Sequence, residues 1–163
     1  MEEDLINTRI TKDTENQRIY KFISPIKIVL PKKRVKDETI YLNLNTYRNI
    51  HWIKNNKTKQ IYNEIMKDQL EGLKINPPID IDFILYANAK KDGKKIFDTA
   101  NICCIINKFF CDALVHYSCI EDDSYKYIEK TSSEFGGYDM ENPRVEIILK
   151  ETYATKNKEI KNQ

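Results

Sequence analysis

Residues 97–128 read FDTANICCIINKFFCDALVHYSCIEDDSYKYI, a stretch that is nearly all apolar between acidic ends. Asp98 opens it, Asp122 and Asp123 close it, and Asn101, Lys108 and Asp112 interrupt it. Those residue types suit one kind of chemistry. A phosphodiester is negatively charged and resists attack by water, but carboxylates that hold a divalent cation can polarise a non-bridging oxygen and generate hydroxide. Such carboxylates must come from separate points of the chain and converge. A lysine beside them can offset charge developing on the phosphate oxygens or position the water.

The spacing places three of these groups together. At about 100° per residue, Asn101, Lys108 and Asp112 lie within about 20° of one line along a helix. Ile102, Ile105, Ile106, Phe109, Phe110, Ala113 and Leu114 cover most of the remaining surface. A surface helix usually has a wide polar face; this one has a narrow seam. Each feature also has a plain structural reading. Lys108 and Asp112, four apart, suit an intrahelical ion pair. Asp98-Thr99 suits an N-cap, and Glu121-Asp122-Asp123 a solvated turn. Their conjunction points further than any one of them.

The elements that must position this helix can be read on either side of it. Residues 1–19 are polar and mixed in charge, which predicts a loose start. IKIVLP (26–31) reads as a strand ended by proline, and YLNLN (41–45) as another short extended piece. Ile61, Ile65, Met66 and Leu70 recur at helical spacing, predicting a helix from Thr58 to Leu70 that stops near Gly72. PPIDIDFILYANA (77–89) alternates and predicts a strand with one buried face. KKDGKK (90–95) reads as a turn, and the opening stretch as a helix over about 100–116. Tyr125–Ser132 and Arg144–Tyr153 read as strands separated by the loop FGGYDMENP, and 155–163 as a polar tail. The sum is a single α+β domain over residues 20–154, a mixed β-sheet packed against helices.

Composition narrows the class. The 163 residues suit one domain, and 40% hydrophobic content is enough for a core. No apolar run approaches the ~20 residues that span a bilayer, and MEEDLINTRI lacks a signal-peptide pattern. The expectation is a cytoplasmic protein with no membrane partner. Cys103, Cys104, Cys111 and Cys119 fall in one segment without a C-x-x-C pair, which predicts buried reduced thiols rather than a disulfide framework or zinc site. His51 and His116 are too far apart in sequence to rescue zinc. The net charge of +2 is unevenly spread: residues 20–60 hold ten Lys/Arg against two Asp/Glu, a balance of +8, which leaves −6 elsewhere. A basic surface beside a carboxylate-bearing site suits a polyanion, although solvated lysines alone give the same count.

The series Asp98…Asn101…Lys108…Asp112-Ala113-Leu114…Ile120-Glu121-Asp122-Asp123 resembles the signature of the RusA-like Holliday junction resolvases, small endodeoxyribonucleases common in phages and prophages. That signature opens with aspartate-x-aspartate-asparagine, carries a lysine four before Asp-Ala-Leu, and closes with Asp-Asp. LNLNTYRN (42–49) is similar to the asparagine-rich segment found early in the family, with KKR before it and KTK after it. Only the 97–128 block is specific.

Matched position by position, Asp98 corresponds to the first metal-binding aspartate and Asp123 to the last, with Asp122 its neighbour. Lys108 corresponds to the lysine required for cleavage. The resemblance therefore implies Asp98, Lys108 and Asp123 as catalytic residues, with Asn101 and Asp112 supporting them. It implies Mg²⁺ on Asp98, Asp122 and Asp123, with Mn²⁺ as a substitute. It also implies a homodimer acting on branched DNA such as four-way junctions, because symmetric cuts need two sites related by a twofold axis. Lys32, Lys33, Arg34, Lys36, Asn45, Arg48, Lys54, Lys57 and Lys59 are the expected DNA-facing residues. Two departures qualify the match. Ala100 stands where the prototype has its second essential aspartate, and Asn101 and Lys108 are separated by four more residues, about one helical turn. Losing a ligand charge weakens cation binding unless another oxygen replaces it. The alternative is a catalytically impaired relative that holds DNA or a protein partner, or a module that never touches DNA.

Overall fold

The computed structural model describes residues 10–14, 17–88 and 98–152. In chain order the elements are β1 (Ile10–Thr14), β2 (Gln17–Pro25), β3 (Lys27–Leu30), β4 (Glu38–Tyr41), α1 (Leu44–Asn49), α2 (Trp52–Leu70), β5 (Ile79–Ala87), α3 (Thr99–His116), β6 (Ile128–Tyr138) and β7 (Arg144–Glu151). The main sheet runs β1-β2-β7-β5-β6, while β3 and β4 form a separate two-stranded sheet. β5 and β6 are parallel; β1–β2, β2–β7 and β5–β7 are antiparallel. Parallel neighbours need a crossover connection, and α3 supplies it. The mixed sheet with helices against it makes this an α+β fold, as the patterning predicts.

Strand alternation decides which face the helices cover. Along β5, Ile79, Ile81, Phe83, Leu85 and Ala87 are fully buried, while Asp80, Asp82, Ile84 and Tyr86 point to the half-exposed opposite face. That second face is held by ion pairs: Lys150 to Asp82 at 2.7 Å, Lys21 to Glu146 at 2.7 Å and Arg144 to Glu146 at 2.6 Å. On the covered face, α3 is gripped from two sides. Phe110 meets Phe22 of β2 at 5.2 Å and Phe83 of β5 at 6.3 Å between ring centroids. Phe109 meets Tyr62 of α2 at 5.5 Å and Tyr47 of α1 at 6.3 Å. A helix packed against sheet on one side and helices on the other has little surface left for polar groups. The narrow seam follows from that position.

The last strand ties distant segments together. The Tyr20 hydroxyl donates to Glu151 Oε1 at 2.9 Å, and the Asn76 backbone N–H donates to the same oxygen at 3.0 Å. Burial pushes the Tyr20 phenol up to about 12, and the Glu151 carboxylate adds to the effect.

Several elements differ from the patterning. β1 and the first three residues of β2 lie within the expected loose start, and the rest of β2 is a strand that the patterning does not predict; Tyr20, Phe22 and Ser24 do alternate as buried residues, but Lys21 and Ile23 between them blur the pattern. YLNLN is not extended throughout. Asn43 turns the chain into α1, its Oδ1 accepting the Thr46 N–H at 2.8 Å. α2 begins at Trp52 rather than Thr58, because His51 Nδ1 accepts the Ile53 N–H at 3.3 Å and caps it. β6 continues through Phe135-Gly136-Gly137, where a loop is expected. A side chain at Gly136 would come within 2.6 Å of Ile84 Cγ2, and the register against β5 shifts there. The glycine marks a bulge, not a loop. The KKDGKK turn and the 155–163 tail lie outside the described residues. No helix among the described residues is long and apolar enough to cross a membrane.

Candidate functional site

Four of the residues matched above, Asp98, Asn101, Lys108 and Asp123, divide between two cavities along α3. The first lies at its N-terminal end. Asp98 is the N-cap, with Oδ1 accepting the Asn101 N–H at 3.0 Å. Asn101 Oδ1 in turn accepts the Leu44 N–H at 2.8 Å, fastening the start of α1 to the start of α3. Both line a cavity of about 330 Å³ with Asn43, Asn45, Thr46 and Asn88. Arg48, in the last turn of α1, acts from the same side. Burial is the main cause raising the Cys104 thiol; Asp98 adds to the rise and Arg48 opposes it.

The second cavity, of about 430 Å³, lies farther along the helix. Lys108 and Asp123 line it together, with Cys104, Asn107, Cys111 and Thr131. Lys108 and Asp123 are both exposed. Among the described residues neither is held in an ion pair. Burial pushes the Cys111 thiol up to about 12, with Asp123 and then Asp112 adding to the effect and Lys108 opposing it. These groups are thus close enough to share one field. Asp122, on the exposed turn beside Asp123, accepts a hydrogen bond from the Ser124 hydroxyl that holds its carboxyl below the usual range.

The ion pair expected from i,i+4 spacing does not form. Asp112 Oδ2 accepts from Lys59 Nζ of α2 at 2.6 Å, and that ammonium also lies 5.8 Å from the Phe109 ring centre. Lys108 is left facing the cavity. The remaining basic residues fall into two groups. Lys32 and Lys54 both bond Glu38, at 2.9 and 3.0 Å, and hydrogen bonds from Lys32 first and then Lys54 hold that carboxyl below its usual range. Lys33, Arg34 and Lys36 stand exposed on the 31–37 loop, and Arg48 and Lys57 on the helices, outside any ion pair among the described residues.

Within one chain the carboxylates before and after α3 are not gathered. Asp98 precedes Lys108 by ten residues, about 15 Å of helix axis, and lines a different cavity from Asp123. The extra turn between Asn101 and Lys108 accounts for part of that distance. Among the described residues no three His, Cys, Asp or Glu side chains cluster as a metal cage would. Mg²⁺ does not need one: it binds through one or two carboxylates, several waters and substrate phosphate. Asp123, exposed beside Lys108 with Asp122 next to it, suits that mode. Of the four thiols, Cys103, Cys111 and Cys119 are buried and in no disulfide, as expected; Cys104 is exposed. Helical spacing alone places Cys104 one turn before Lys108, but Thr131 reaches the cavity from β6 and leaves no signal near the motif.

No family model matches the chain, and no curated protein does. Among solved structures, the periplasmic domain of Helicobacter pylori MotB aligns over 93% of this chain and 92% of that one at 15% identity, with a TM-score of 0.33. A likeness that loose carries no argument about fold or function.

Proposed function

We propose that the chain is a RusA-like, Mg²⁺-dependent endodeoxyribonuclease acting on branched DNA, with its chemical centre in the Lys108–Asp123 cavity. One observation carries the reading. The two positions that resemble the family's required lysine and last aspartate come from α3 and the segment after it, and line one open cavity without pairing to each other. When bound, the cation would polarise a phosphate oxygen and lower the pKa of a water. Asp123, with Asp122 beside it, supplies carboxylate oxygens to hold it. Lys108 offers an ammonium to the phosphate oxygens as their charge grows. Lys33, Arg34, Lys36, Arg48 and Lys57 supply positive charge to the DNA backbone, so recognition rests on phosphates and shape and weakens steeply with salt. A homodimer, a cytoplasmic setting and a phage or prophage origin belong to the same reading.

A second reading has its own support. Asp98 is committed to capping α3, and Ala100 offers no ligand. A protein that binds junctions without cutting them would look like this too. Incubating a synthetic four-way junction with the protein, with Mg²⁺, Mn²⁺ or a chelator, separates the two. Metal-dependent paired nicks near the branch support the nuclease. Salt-sensitive binding with no nicks under any condition leaves the non-cutting protein.

A further inference from the structure

Trp52 is the chain's single tryptophan, and 67% of it is exposed. That exposure leaves much of the indole open to a ligand. Its neighbourhood is organised. Trp52 opens α2 directly after His51, whose ring lies 5.8 Å from the indole and is inclined to it by 32°. The capping bond from the Ile53 N–H to His51 Nδ1 fixes that imidazole in place. Ile53, next along, is 49% exposed. The first turn of α2 carries no acidic residue, and Lys57 follows on the next turn.

Helical geometry shows which way the indole faces. At about 100° per residue, Trp52, Asn56 and Lys59 fall within an arc of about 60° on one flank of α2. Lys59 marks the direction of that flank, since its ammonium reaches Asp112 on the polar seam of α3. The two helices run side by side in the same sense: Lys59 meets Asp112, and the Tyr117 hydroxyl meets the Asn63 carbonyl. Trp52 therefore stands on the seam side of α2, about 10 Å up the axis from Lys59, a span of about three nucleotides at duplex spacing.

We propose that Trp52 is a stacking platform for one nucleobase released from the helical stack at the branch, with Arg48, four residues earlier in the chain, on a flanking phosphate. This rests on the DNA-binding reading above and adds the residue that would favour branched over continuous DNA. The occupant is a base rather than a protein side chain because residues 44–63, which surround Trp52 in the chain, carry Arg48, Lys54, Lys57 and Lys59 and no Asp or Glu, a balance that suits a polyanion. A paired duplex offers no free base face without unstacking, whereas a branch point does.

Because Trp52 is alone, its emission reports on its own surroundings. The full chain is titrated with a four-way junction, a single strand, a blunt duplex and inorganic polyphosphate, with binding followed in parallel by anisotropy or light scattering. Junction and single strand are expected to quench Trp52 at saturation, the duplex to quench least of the three DNAs, and polyphosphate to bind without quenching. Trp52→Ala should weaken junction binding about 5- to 100-fold, with Trp52→Phe recovering most of it. Circular dichroism confirms that both variants fold. Junction binding with unchanged emission, or equal quenching by polyphosphate, overturns the stacking role and leaves the DNA reading standing. If no DNA binds at low salt, both fall together.

Discussion

Each of the two cavities along α3 has an aspartate in its lining, yet the two aspartates are differently engaged. At the N-terminal end, Asp98 caps the helix and Asn101 holds α1 against it, so the polar atoms are bound into the fold. Two to three turns farther on, Lys108 and Asp123 share a cavity with nothing bonded between them. Asp112 shows how readily such a charge is consumed when a partner is in reach, since Lys59 has taken it from across the helix pair. Charged groups left unengaged beside one another can still act on a ligand.

The largest effect that could break this contrast concerns cleavage. Asp123→Asn is expected to lower junction cutting by about a hundredfold or more while binding persists, as loss of an electrostatic group at the reacting phosphate does. Asp98→Asn keeps an N-cap that is as good as the original, so it tests the charge alone, and it is expected to cost less activity than Asp123→Asn. Equal losses, measured side by side on one junction, would mean that the two cavities work as one site. Next in size, Asn101→Ala strands the Leu44 N–H and should destabilise the fold by about 1–3 kcal/mol in urea unfolding. Lys59→Met should cost no more than about 1 kcal/mol, because the pair with Asp112 is partly exposed. If it also changes cleavage, Asp112 has been freed to pair with Lys108.

The smallest effect uses Cys104, which lines the second cavity and feels the charges at the first. In the folded protein it should be the thiol that iodoacetamide labels, with Cys103, Cys111 and Cys119 reacting only after unfolding. Its thiol is held above the ordinary value by burial, so labelling should be slow at neutral pH and accelerate only above the pH range where an ordinary thiol ionises. Bound junction should slow it. Mass spectrometry of the labelled protein reads both.

Much of this arrangement was legible in the sequence, for identifiable reasons. β5 shows its period of two because every second residue is fully buried, and α3 shows its seam because Phe109 and Phe110 claim both sides of it. β2 was hidden because its outward residues Ile19, Lys21 and Ile23 mix apolar with charged and so mask the alternation of Tyr20, Phe22 and Ser24. β6 was cut short because Gly136 and Gly137 resemble loop residues, although Gly136 is there to let the backbone pass Ile84 and Tyr86. The partner of Asp112 was misplaced because the rule of four residues sees only one helix, and the ammonium that reaches it comes from another. Spacing likewise placed Asp98 and Lys108 on one helix without showing that they open onto separate cavities.

The bond from Tyr20 to Glu151 joins residues 131 positions apart, and among the described residues β2 has β1 and β7 as its two neighbours in the sheet. The centre of the sheet therefore closes late during synthesis, after the whole βαβ half has emerged. A ribosome stalled before Arg144 would release a chain whose second strand has one edge unpaired, ready to add onto the same strand of another nascent copy.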